Sequence, residues 1–299
     1  MTERQVRTGH LGAFITIFIW AMTFISTKVL LEGFTPVEIM FYRFAIAYIA
    51  LLIIRPKFIK FRDMKEEAMF MGAGVCGVSL FYLFQNTALT YTLASNAAVL
   101  MSVSPLFTAL ISRFILREES LKPGFFAGFA VAITGIALIG FNGNFVLELN
   151  PLGDILSVLC ALIWAVYSIL IRKISIRNYD DILVTKKVFF YGLLFMLPFL
   201  APFGFEFGAE RFASARYLAN MLFLGLGASA LCYITWNYAL KVLGAIKTSV
   251  YIYVIPVLTI IISALVLREP ITPVAGAGAI MILAGLYISE KKPAAKKKR

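Results

Sequence analysis

The sequence predicts an all-α membrane protein, with ten transmembrane helices arranged as two inverted five-helix repeats. Three observations carry this: nearly continuous apolar runs of about twenty residues, basic residues gathered in alternate connections, and a copy of the first half in the second. Of 299 residues, 61% are hydrophobic and 15% charged, against roughly 45–50% and 25% in soluble domains. That balance excludes a soluble globular enzyme. It also excludes disorder, because so apolar a chain has ample surface to bury. Barrel strands alternate apolar and polar residues over about ten positions, whereas the stretch from Leu11 to Leu31 is apolar almost throughout.

Runs bounded by charge, Pro or Gly place spans near 11–31, 36–54, 68–90, 95–116, 124–141, 152–171, 182–201, 217–240, 244–267 and 273–289. Arg4 and Arg7 precede the first run, which is too long for a signal peptide and lacks its cleavage pattern, so it reads as a retained span. The net charge of +12 comes from 28 Lys and Arg against 16 Asp and Glu. With both termini cytoplasmic, the inner connections hold Arg55, Lys57, Lys60, Arg62 and Lys65, then Arg117 and Lys122, then Arg172, Lys173 and Arg177, then Lys241 and Lys247. The outer side holds little beyond Lys28, Arg211, Arg216 and Arg268. This bias predicts an inner (cytoplasmic) cell membrane protein with both termini inside. The basic tail, residues 290–299, then faces anionic lipid, and no nucleic acid is expected as a partner.

The two halves repeat each other. An offset of 144 residues carries Trp20 onto Trp164, Lys28 onto Arg172 and Arg43 onto Lys187. An offset of 151 carries Gln85 to Glu118 without gaps onto Trp236 to Glu269, with Asn86/Asn237, Ala88/Ala239, Leu89/Leu240, Pro105/Pro256 and Thr108/Thr259 identical. The expected units are residues 11–141 and 152–289. Five spans per unit is an odd number, so the second copy enters the membrane from the opposite side.

The stretches NTALTYTLASNAAVLMSVSPLFTALISRFILREESLKPGFFAGFAVAITGIALIG and WNYALKVLGAIKTSVYIYVIPVLTIIISALVLREPITPVAGAGAIMILAGLYI resemble the two halves of an EamA-type transporter of the drug/metabolite transporter superfamily. The resemblance runs from Leu11 to Ile288. It implies ten helices, an inner-membrane location and export of a small metabolite, an amino acid or a drug, without fixing which. It implies no cofactor, and the protein is expected as a monomer or homodimer. In small four-helix relatives a first-span Glu couples drug efflux to protons. The first span here has no acidic residue, so facilitated export or exchange is the expectation.

Pro105 and Pro256 occupy matching mid-span positions. Proline lacks a donor and clashes with the carbonyl four residues earlier, so each should kink its helix, either as a gate beside a central site or as a packing feature. Ser104, Thr108 and Ser112 recur every four residues on one helical face, which suits a polar cavity or close helix contact. Trp20, Tyr82, Gln85, Asn96, Trp164, Trp236 and Tyr251 are the preferred solute-lining set. Trp20 and Trp164 lie mid-span, away from the interfacial aromatic belts, and a buried amide needs an interior partner. Arg43 lies seven residues past Pro36, roughly 10 Å deep at about 1.5 Å per residue. An intramembrane cation is a functional candidate by default, the alternative being an ion pair with Glu38 or Glu32.

An intramembrane enzyme is the competing class. It needs clustered His, Asp or Glu, or a Ser beside a base. The single histidine, His10, stands at the start of the chain, and the three cysteines are scattered through apolar runs. A channel would need a carbonyl filter or rings of charge, and neither pattern is present.

Overall fold

The computed structural model describes residues 2–92, 97, 100–116, 123–141, 151–267 and 273–290, and these residues form helices and turns without strand. In chain order the helices are α1 (Glu3–Leu30), α2 (Pro36–Ile54), α3 (Met64–Tyr91), α4 (Ser104–Ile115), α5 (Pro123–Phe141), α6 (Pro151–Ser175), α7 (Asp181–Leu200), α8 (Ala215–Leu243), α9 over residues 245–267, and α10 (Pro273–Glu290). Six of them, α1, α2, α3, α6, α7 and α8, are long and apolar enough to cross a membrane, and the other four contain shorter apolar stretches.

Local chemistry sets most of the starts. Thr2 and Thr35 cap α1 and α2 in reciprocal capping boxes with Gln5 and Glu38. Asp63 Oδ1 accepts from Glu66 N at 2.8 Å and Asp180 Oδ1 from Ile182 N at 2.9 Å. Helices α2, α5, α6 and α10 begin on proline, whose missing N–H is no loss in a first turn. The capped start of α3 lies before the expected 68, which brings Glu66 and Glu67 into its first turn, both buried.

The prolines act differently from the expected kink. Ser102 and Val103 form a turn, and α4 restarts at Ser104 with Pro105 in its first turn. In α9 a 3₁₀ turn at Tyr251–Tyr253 separates Ala245–Val250 from Val254–Leu267, again with Pro256 in the first turn of the second piece. Proline has no N–H to give an earlier carbonyl, so the chain breaks the helix and starts another at each site. Gly244 joins α8 to α9 at φ 88° and ψ 164°, an essentially glycine-only conformation that would cost an L side chain about 1–3 kcal/mol.

The packing obeys the repeat. Helix α1 lies along α8 as α6 lies along α3; α1 meets α9 as α6 meets α4; α2 meets α8 as α7 meets α3; and α2/α7, α4/α9 and α5/α10 pair with their own counterparts. Lys28, at the end of α1, donates to Leu89 O at 2.7 Å, and its counterpart Arg172, at the end of α6, donates to Leu240 O at 3.3 Å and Lys241 O at 2.7 Å. Each cation therefore caps the carboxyl end of its own repeat's third helix. The other ends match as well: a Cβ on Gly9 would lie 3.2 Å from Leu243, and one on Gly153 would lie 3.0 Å from Thr92. The start of α6 thus sits at the end of the bundle where α1 finishes, so α1 and α6 run antiparallel.

Glycines set the closest crossings. A Cβ at Gly285 would lie 2.5 Å from Gly128 O and 2.6 Å from Ala132 N, both backbone atoms of α5. Gly285→Ala is therefore expected to push α10 off α5 and to cost about 1–3 kcal/mol as overpacking. A lowered thermal midpoint in detergent checks this, with Gly276→Ala, where no atom lies within 4 Å, leaving it unchanged.

Candidate functional site

Where α1, α3, α6 and α8 meet, their aromatic side chains form one cluster. It includes all three tryptophans of the chain. The Trp20 ring lies 5.1 Å from Trp164, edge to face, and 5.0 Å from Trp236. Tyr233 lies 5.8 Å from Trp164 and 5.0 Å from Phe189. Separations of this size are those that edge-to-face pairs favour.

Two π-helical stretches, Val75–Leu80 in α3 and Phe223–Leu231 in α8, stand at equivalent places in the repeats and shape this centre. Widened turns loosen the normal hydrogen-bond ladder, and side chains from other helices use carbonyls in them. Trp20 Nε1 donates to Ala228 O at 3.0 Å, and the Tyr233 hydroxyl donates to Gly77 O.

Beside the cluster a cavity of about 40 Å³ is lined from α1 by Trp20, Thr23 and Phe24, from α3 by Phe81, Tyr82 and Gln85, from α6 by Trp164, and around the two breaks by Met101, Ser104, Ile252 and Ile255. That space admits a few waters and is far below the roughly 300–1,000 Å³ of small-molecule pockets. A solute would need its walls to move. No lining residue among those described is charged. Many are repeat-equivalent: Trp20 with Trp164, Met101 with Ile252, and Ser104 with Ile255, the last two standing directly before Pro105 and Pro256. The cavity thus straddles the pseudo-two-fold relation between the halves.

The symmetry is broken along α1 and α3, where Thr23, Phe24 and Phe81 line the cavity and their counterparts Tyr167, Ser168 and Cys232 do not. Tyr82 and Gln85 line the cavity, whereas their counterparts Tyr233 and Trp236 are fully buried in the packed cluster. Free space therefore lies toward the end of the bundle where α1 finishes, and the opposite end is filled.

Of the sequence candidates, Trp20, Tyr82, Gln85 and Trp164 come together on the cavity wall. Trp236 stands behind it in ring contact with Trp20, its Nε1 without a hydrogen-bond partner among the described residues. Tyr251 does not line the cavity, and its hydroxyl meets His10 Nδ1 at 2.7 Å. Pro105 and Pro256 are buried beside lining residues. Asn96, the Arg117–Glu118 and Arg268–Glu269 motifs and the tail from 291 lie outside the described residues, as do the side chains of Thr259 and Ser263. Of the Ser/Thr face, Ser104 lines the cavity, while Thr108 and Ser112 are buried without lining it.

Arg43 is 1% exposed. Its Nε donates to Ser229 Oγ at 3.0 Å, and its guanidinium carbon stands 4.2 Å from the centroid of the Tyr82 ring. The carboxylates suggested as its partners are engaged elsewhere. Glu38 forms a two-pronged pair with Arg211 at 2.8 and 3.0 Å, and Glu32 pairs with Arg216 at 2.8 Å. The Glu38 hydrogen bonds raise the Arg211 guanidinium above its ordinary value, so it stays charged. Lys187, the counterpart of Arg43, is bound to Glu67 at 2.8 Å.

The sequence signals missed Thr23, Phe24, Phe81, Met101, Ile252, Ile255 and Ser229. The repeat register held Met101, Ile252 and Ile255: 151 residues after Met101 and Ser104 fall Ile252 and Ile255, four and one positions before each proline. Ser229 had no such signal, since its meeting with Arg43 joins residues far apart in sequence.

The EamA-like transporter family model matches residues 7–141 and again 151–290. An uncharacterized transporter of Archaeoglobus fulgidus is 31% identical over 95% of this chain and 97% of its own length. A probable terminal-alkyne amino-acid exporter of Streptantibioticus cattleyicolor is 25% identical over 93% and 92%. A solved crystal structure, 20% identical, superposes with a TM-score of 0.74 over 95% of this chain and 96% of that one, which shows a shared fold. Two copies of the family pattern, an all-helical apolar fold and transporter relatives of matching length converge: the chain is a multi-pass membrane protein that belongs to the EamA-like transporter family.

Proposed function

We propose that the protein is a secondary transporter that exports a small solute, an amino acid or related metabolite or a drug, across the cytoplasmic membrane by alternating access, with ten spans in two inverted repeats and both termini cytoplasmic. The observation that carries this is the cavity on the pseudo-two-fold relation, its free space lying toward one end and the other end filled. Exchanging the packing of the two halves opens the filled end and closes the other.

The ten-span count is supported by length: α5 and α10, with 19 and 18 residues, rise about 27–29 Å at 1.5 Å per residue, close to a hydrocarbon core of about 30 Å. The orientation is supported by charge. Arg211 and Arg216, at the end assigned outside, are matched by acids, while Arg55, Lys57, Lys60, Arg62 and Lys65 cluster at the other. In this orientation the cavity faces outward. The amino-acid exporter among the relatives supports the solute class.

Untargeted mass spectrometry of spent medium, comparing over-expressing cells with empty vector and with Trp164→Ala at matched membrane level, tests the reading. A metabolite enriched by wild type and not by the variant is expected. An unchanged medium with folded protein present, or equal enrichment by the variant, overturns it.

A further inference from the structure

Arg43 is a buried cation with no carboxylate beside it among the described residues. Its Nη2 has no hydrogen-bond partner among the described residues, and its known contacts are the neutral Ser229 hydroxyl and the faces of Tyr82 and Phe44. A buried charge is ordinarily paired or hydrogen-bonded: Lys187, at the equivalent position, holds Glu67, and the buried Lys186 donates to the Arg55 and Lys57 carbonyls. The nearby acids Glu38 and Glu32 have their own arginines. The unmatched charge stands directly behind Tyr82, and Tyr82 is part of the cavity wall.

We propose that Arg43 is the anion anchor of the transport site, and that the solute is a small carboxylate joined to an apolar or aromatic body. This rests on the cavity being the solute site. Tyr82 turning aside would expose Nη2 to the cavity, where the carboxylate accepts its hydrogen bond and supplies the missing counter-charge. Ser104 Oγ, also without a partner among the described residues, offers a second donor from the opposite wall. The apolar body lies among Trp20, Trp164 and Met101. Because no lining residue among those described is charged, Arg43 sets the preferred sign of the solute, and in this low-dielectric setting a cation is repelled.

The cluster contains every tryptophan, so intrinsic fluorescence reports the site directly. The purified full chain in lipid nanodiscs is titrated with phenylacetate, phenylacetamide and phenethylamine, three probes with one ring and charges of −1, 0 and +1. In wild type, phenylacetate is expected to bind at least about tenfold more tightly than the other two, a difference of about 1.4 kcal/mol. Arg43→Gln is expected to erase that preference while leaving phenylacetamide unchanged, and Arg43→Lys to retain part of it. If the Gln variant does not fold, the wild-type ratio and the Lys variant decide. Equal wild-type affinities, or a preference that survives Arg43→Gln, overturn the anchor and leave the cavity as a site for neutral solutes. If none of the probes alters the fluorescence, the anchor and the cavity reading fall together.

Discussion

Trp20→Ala is expected to destabilise the protein by about 3–5 kcal/mol, the range for removing a buried aromatic side chain, and to abolish export. Trp20 touches Trp164, Trp236 and Tyr233, and its indole N–H is the donor that satisfies Ala228 O inside the α8 π-segment. The variant removes the contact between the first helices of the two repeats and also leaves a carbonyl without its donor. Trp20→Phe separates these roles. It keeps a ring and loses the hydrogen bond, a change of about 1 kcal/mol. Thermal unfolding in detergent and export at matched expression measure both effects. A Trp20→Ala protein with wild-type stability and export would show that the cluster is neither packing nor site.

Glu38→Ala is expected to cost about 3–5 kcal/mol as the loss of one partner from a buried ion pair. The Glu38 carboxylate is fully buried. It accepts from Thr35 N at 2.7 Å, from Glu206 N at 2.9 Å and from both Arg211 nitrogens. Four donors lose their acceptor at once, and with them go the cap of α2 and the tether of the α7–α8 connection. Arg211→Ala leaves the fully buried Glu38 carboxylate with only its two backbone donors and is expected to cost at least as much. Urea or thermal midpoints order the two variants. Arg211→Ala far less damaging than Glu38→Ala would place the stabilisation in the backbone donors instead of the ion pair.

Much of the fold was legible because its causes are local. Thr35, Pro36 and Glu38 write a helix start, Gly244 writes a turn, and twenty apolar residues write a buried or lipid-facing helix. The repeat register extended this to three dimensions, since Lys28 and Arg172, matched by sequence alone, perform the same capping at opposite ends. The prolines showed where α4 and α9 are interrupted but not in what form, because a kink and a restart share the same missing donor. The π-segments had no local signature beyond glycine richness; they depend on helices packed against them, as at Gly74, where a Cβ would lie 2.7 Å from Gly192 N.

The site divided along the same line. Trp20 and Trp164 were legible as mid-span aromatics, Gln85 as an amide near a span end that must face the bundle interior, and Tyr82 by residue type. The depth of Arg43 was legible, but its partner was not, since Glu38 and Glu32 were nearer in sequence and their arginines arrive from α8 and the turn before it. Tyr251 was placed on the lining by residue type. The 3₁₀ turn directs the next residue, Ile252, to the cavity and leaves the Tyr251 hydroxyl to His10.

That His10–Tyr251 contact and the approach of Gly9 to Leu243 close the end of the bundle where α1 begins. If solute moves by alternating access, this closure must open in every cycle. A reversible disulfide between Gly9→Cys and Leu243→Cys, formed in proteoliposomes loaded with the metabolite that expression enriches in the medium, tests this directly. Efflux is expected to stop when the pair is oxidised and to recover on reduction, whereas undiminished efflux through fully cross-linked protein would contradict the account.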